Sequence, residues 1–67
     1  MKKVNQFLGE KSGQSLRAEI YQFDGGHEVH YYINESLQKK EQFTENNIHF
    51  VEDAAENWIN GIKVLNG

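Results

Sequence analysis

The sequence predicts an α+β domain, a small antiparallel β-meander of three or four strands with one C-terminal α-helix packed on one face. Three observations lead there. Residues 51–65 repeat apolar side chains at helical spacing, and two runs within residues 16–33 alternate apolar with polar. Between those two runs stands Asp24-Gly25-Gly26, the composition of a tight hairpin turn.

The helix organises the rest. At about 100° per residue, Val51, Ala54, Ala55, Trp58, Ile59, Ile62 and Leu65 fall on one side. Glu52, Asp53, Glu56, Asn57, Asn60 and Lys63 fall on the other, which is amphipathic patterning. Glu52 and Asp53 are expected in the first turn and Lys63 in the last, where the helix dipole favours them. No side-chain cap is evident before Glu52, so the start is open by a residue or two. Gly61 either lies inside the helix, at a cost of about 1 kcal/mol against Ala, or ends it as a left-handed cap.

Leu16, Ala18 and Ile20 alternate with Arg17, Glu19 and Tyr21, and Val29, Tyr31 and Ile33 alternate with Glu28, His30 and Tyr32. A two-residue turn at Asp24-Gly25 sets Ile20 against Val29, Ala18 against Tyr31 and Leu16 against Ile33. Moving the turn to Gly25-Gly26 shifts the partners but keeps apolar opposite mostly apolar, whereas a three-residue loop would mix the two faces, so an even loop is preferred. Both central turn residues are expected at positive φ.

A further strand is expected over residues 37–44, after a turn at Asn34-Glu35-Ser36. Leu37 and Phe43 share one of its faces with Lys39 and Glu41, and the lysines suit a sheet edge. Asn46-Asn47 then turns the chain, and Ile48 and Phe50 lead into the helix. At the other end, Val4, Phe7 and Leu8 fit either a helical turn or a short strand. A strand leading into a hairpin is preferred, with residues 9–15 as a loop or joint. The expected core is Ile20, Val29, Tyr31, Ile33 and Phe43 with Leu16 and Ala18, set against Ala55, Trp58, Ile59 and Ile62 with Val51 and Ala54.

Sixty-seven residues make a single domain. A chain of this size buries only about 60% of the surface its unfolded form exposes. With no cysteine, disulfides and thiolate zinc sites are excluded, which leaves packing and self-association as sources of stability. The net charge of -3 comes from 7 basic and 10 acidic residues, and the basic ones are scattered rather than clustered for phosphate. No membrane span or signal-peptide core is present, so a cytoplasmic setting is expected.

Catalytic chemistry finds little support. His27-Glu28-x-His30 resembles a metal motif, but residues three apart on a strand point to opposite faces, and His49 joins only through a fold-back. Ser12, Ser15 and Ser36 lack a nucleophile elbow, and Gly9, Lys11 and Gly13 do not make a phosphate loop. Glu52, Asp53 and Glu56 read as a solvated helix face. No catalytic residue, cofactor or metal is therefore assigned. Arg17, Glu19, Tyr21, Phe23, His30 and Tyr32 fall on the sheet face turned away from the helix. Aromatic residues and Arg are what interfaces prefer, so these six are the candidate partner-binding residues. The expected partner is protein, a second copy included, and a homo-oligomer is anticipated. Nucleic acid stacked on the same aromatics, near Arg17 and Lys40, is the alternative.

Arg17-Ala18-Glu19-Ile20-Tyr21, Tyr31-Tyr32-Ile33-Asn34 and above all Glu52-Asp53-Ala54-Ala55-Glu56-Asn57-Trp58 with Gly61 resemble small proteins of tailed phages that infect marine cyanobacteria. The resemblance covers residues 16 onward. It implies a phage accessory protein acting in the host cytoplasm and assigns no catalytic residue. The order of strands and helix is also similar to the latter part of a double-stranded-RNA-binding domain. Glu52-Asp53 stands where that family carries phosphate-binding lysines, which counts against RNA.

Overall fold

A computed structural model of the chain describes residues 1–45 and 47–61. Strands β1 (Lys2–Lys11), β2 (Gln14–Phe23), β3 (Gly26–Ile33) and β4 (Ser36–Phe43) form one antiparallel sheet in the order β1-β2-β3-β4. Helix α1 (Ile48–Ile59) follows and lies across β1, β2 and β3. The α+β meander is thus as expected, with four strands.

The β2–β3 register matches the parity argument: Ile20 faces Val29, Ala18 faces Tyr31 and Leu16 faces Ile33. The turn geometry does not. Neither Asp24 nor Gly25 has positive φ; that conformation falls on Gly26, at 145°, where a Cβ would collide with the Phe43 carbonyl. The two outer hairpins are the ones with positive φ at both central residues. Ser12 and Gly13 have φ of 52° and 79°, and Asn34 and Glu35 have 49° and 66°. Asn34 also ties the two outer hairpins together: its Oδ1 accepts from Ser15 N at 3.0 Å, and its own N–H donates to Ser15 O at 2.9 Å.

Three sequence expectations need correction. Residues 9–15 are not a loop, because β1 runs to Lys11 and β2 begins at Gln14, leaving Ser12-Gly13 as the turn. Leu37 does not share a face with Phe43. The β3–β4 register passes from Tyr31↔Lys39 to Tyr32↔Leu37, and the extra residue, Gln38, turns Leu37 outward beside Tyr32. The helix begins at Ile48, with Asn47 as its cap and Asn47 Oδ1 accepting from Phe50 N at 3.0 Å. Glu52 and Asp53 therefore lie beyond the first turn, where the dipole contributes little. Of the readings for Gly61, the left-handed cap is the one observed, with φ of 79° and its N–H donating to Trp58 O at 3.1 Å. Ile62, Lys63, Leu65 and Asn46 lie outside the described residues.

The core is Leu16, Ala18, Ile20, Val29, Tyr31 and Phe43 from the sheet and Val51, Ala55 and Trp58 from the helix. Ile33 and Ile59 are only partly buried, as are Phe7, Ile48 and Ala54. Ile20, Val29 and Val51 are fully enclosed, each worth about 1.5–3 kcal/mol on burial. Gly9 lets the helix end settle on β1, since a Cβ there would stand 2.6 Å from Ile59 Cγ2. Near the other end of α1, Asn5 Nδ2 donates to Glu52 Oε2 at 2.9 Å.

Candidate protein-binding face

Side chains on paired strand positions share a face, so the observed register decides which residues look away from α1. Arg17, Glu19, Tyr21 and Phe23 of β2 face outward, opposite Tyr32, His30, Glu28 and Gly26 of β3. β1 adds Lys3, Gln6 and Leu8, which pair with Tyr21, Glu19 and Arg17, and β4 adds Leu37 and Lys40 opposite Tyr32 and His30. The six candidate residues therefore do share one face. No element among the described residues covers it, because β1 extends the sheet instead of folding beneath it.

Glu19 is the hub. It is only 8% exposed, although the face is open, because neighbouring side chains close over it. Its Oε1 accepts from the Tyr21 hydroxyl at 2.8 Å. Its Oε2 accepts from Lys3 Nζ at 3.0 Å and stands 3.1 Å from Arg17 Nε. Burial raises the carboxyl pKa, but the hydrogen bonds from Lys3 and Tyr21 and the charges of Lys3 and Arg17 outweigh it. The net result lies below the ordinary carboxylate value. The same bond, with burial, raises the Tyr21 phenol.

Arg17 also pairs with Glu35, which sits at positive φ in the turn between β3 and β4. The Arg17 guanidinium sits 4.2 Å above the Tyr32 ring, a cation–π distance. The Tyr21 and His30 rings lie 4.5 Å apart, centroid to centroid. Glu28, 7% exposed, stands 3.3 Å from His30 Nε2 and forms an ion pair when the imidazole is protonated. Phe23 is set apart from this group: its ring folds over the hairpin tip, where a Cβ on Gly25 would meet it at 2.9 Å.

The sequence reading missed Lys3, Gln6, Leu8, Glu35 and Leu37 as members of this face. The available signal was Ser12-Gly13, a dipeptide suited to a two-residue turn. Counting back from it places Leu8 opposite Arg17 and Gln6 opposite Glu19.

His27 and His30 lie on opposite faces, as strand parity requires, and exposed His49 is engaged with Glu52 at 3.7 Å on the helix. Among the described residues no three His, Asp or Glu side chains gather as a metal site, and no helix is long and apolar enough to cross a membrane. On the helix side an open cleft lies between α1 and β4, lined by Glu41, Phe43, Phe50, Asp53, Ala54 and Asn57. Phe50 is 54% exposed there and meets Phe43 edge to face at 6.0 Å. No family model matches the chain, and neither do any curated protein or solved structure.

Proposed function

We propose that the chain is a small non-enzymatic module that binds protein, or associates with itself, through the outer sheet face centred on Tyr21, His30 and Tyr32. The observation that carries this reading is Glu19, nearly enclosed on a face that no element among the described residues covers, hydrogen-bonded to Lys3 and Tyr21 and ion-paired with Arg17. Those contacts hold the Tyr21 ring and the Arg17 guanidinium, which in turn lies over the Tyr32 ring, before any partner arrives. A surface already in one conformation gives up less side-chain entropy on binding, commonly about 0.5–1.5 kcal/mol per immobilised side chain. Leu8, 67% exposed, and Leu37, 45% exposed, give the face apolar margins.

The nucleic-acid alternative draws less support from the same geometry. Arg17 is engaged with Glu19 and Glu35, and its guanidinium occupies one face of Tyr32. The cation and one stacking surface that a single strand would use are thus both committed. The resemblance to phage proteins adds the setting of an accessory protein in a host cytoplasm, with no cofactor invoked.

Affinity capture with the wild type and the Tyr21→Ala/Tyr32→Ala double variant tests the reading. Protein retained by the wild type and lost by an equally folded double variant is the expected result. Equal retention by both, or salt-dependent retention of single-stranded nucleic acid alone, overturns it.

A further inference from the structure

We infer that the free edge of β1 pairs with the β1 edge of a second copy, antiparallel, with Leu8 on the two-fold axis. A four-stranded meander has two edges, and they are guarded differently. β4 carries Lys39 and Lys40 and is interrupted mid-strand by the extra residue at Gln38, devices that discourage edge pairing. β1 keeps its irregularity near its start, between Lys3 and Asn5, and pairs regularly from there to Lys11. Residues 5–9, Asn-Gln-Phe-Leu-Gly, bear no charge, and the strand's lysines lie only at its ends. No strand among the described residues pairs with this edge.

The direction of the backbone groups follows from the turn. Lys11 and Gln14 close the two-residue turn at Ser12-Gly13, and such a closing pair exchanges both hydrogen bonds. Alternation along an antiparallel pair then aims the N–H and C=O of Gln6, Leu8 and Glu10 away from β2, toward the open edge, where Gln6 N–H donates to Asn5 Oδ1 at 2.8 Å and exchanges that acceptor on pairing. These residues also point their side chains to the outer face.

One register satisfies the edge on itself. With Leu8 opposite Leu8 of the second copy, Gln6 meets Glu10, Phe7 meets Gly9 and Asn5 meets Lys11. No like charges face each other, an amide meets a carboxylate, and Phe7 lies over the residue that has no side chain. Leu8 is 67% exposed in the single chain and gains an apolar partner in this pairing, whereas the axis on Gln6 would set it against Val4 at the irregular start of β1. Shifting the axis to Phe7 sets Lys11 against Lys3, and shifting it to Gly9 sets Leu8 against Glu10. Self-pairing at Leu8 is isologous and closes as a dimer, with both helices on the same side of a continuous sheet. The pairing does not depend on the outer face binding another protein, and Tyr32→Ala leaves it intact.

Sedimentation of the full chain across a concentration series up to about 500 µM reads the equilibrium directly. A concentration-dependent monomer–dimer equilibrium is expected for the wild type. Leu8→Lys, at an exposed position that tolerates the change, weakens the dimer by about tenfold or more with an unchanged circular dichroism spectrum. Mixing Leu8→Lys with Leu8→Glu restores a dimer, because the two charges then meet across the axis. A wild type that stays monomeric over the whole range overturns the proposal. So does a Leu8→Lys variant that dimerises as well as the parent, or a mixture that fails to recover.

Discussion

Tyr31 and Trp58 meet edge to face, with centroids 5.0 Å apart and planes inclined at 66°, and this contact fastens α1 to the middle of the sheet. Tyr31 is fully buried, and its hydroxyl donates to Glu41 Oε1 at 2.7 Å. Burial, reinforced by that bond, holds the phenol far above its ordinary pKa.

Removing the indole leaves a cavity beneath the helix. Trp58→Ala is expected to cost about 3–5 kcal/mol, comparable with the whole stability of a domain this small. Circular dichroism at room temperature should show a largely unfolded chain. A cooperative melt close to that of the parent would contradict the central place given to Trp58.

The Asn47 cap lends itself to a graded test. Asn47→Ala removes the acceptor for Phe50 N–H and is expected to lower stability by about 1 kcal/mol, whereas Asn47→Ser keeps most of it. Urea midpoints at constant slope would measure both. Equal midpoints for Ala and Asn at this position would mean that the cap contributes nothing.

Gly9 makes the opposite kind of prediction, since the problem there is excess volume. A Cβ would stand 2.6 Å from Ile59 Cγ2, so Gly9→Val must push the helix end off β1. The expected loss is about 1–3 kcal/mol in a denaturant melt, despite the better strand propensity of Val. An unchanged or raised midpoint would show that the helix end does not bear on β1.

Glu19 gives a pH dependence of known sign. Its folded pKa is depressed, so its contribution is fully present above the ordinary value of 4.5 and is lost as the pH falls through the lower folded value. Wild-type melting temperature should therefore fall as the pH drops below that ordinary value, and Glu19→Gln should flatten this acid limb. Parallel acid limbs for the two proteins would argue that the Lys3, Arg17 and Tyr21 contacts do not stabilise the carboxylate.

What the sequence made legible follows from how much of each element obeys one period. β2 and β3 alternate without interruption, so their register, and with it the membership of Arg17, Glu19, Tyr21, His30 and Tyr32 in one face, could be read directly. β1 could not be read the same way. Its apolar residues Val4, Phe7 and Leu8 straddle a register shift, and its inner face includes Asn5 and Gly9, which carry no apolar signal. Leu37 was misplaced for a related reason, because one extra residue at Gln38 reverses the parity of everything before it in β4. The helix start was hidden because Ile48-His49-Phe50 looks like a lead-in strand. Only the Asn47 side chain, bonded to Phe50 N, marks the turn.

Hydroxyl-radical footprinting of the chain, free and with its captured protein partner, tests the outer-face reading most directly. Tyr21, His30 and Tyr32 should react in the free chain and become protected in the complex, while Trp58, 6% exposed, stays protected in both and Phe50, 54% exposed, stays reactive in both. Protection that appears at Phe50 and along α1, with Tyr21 and Tyr32 unchanged, would place the partner on the helix side and contradict the proposal.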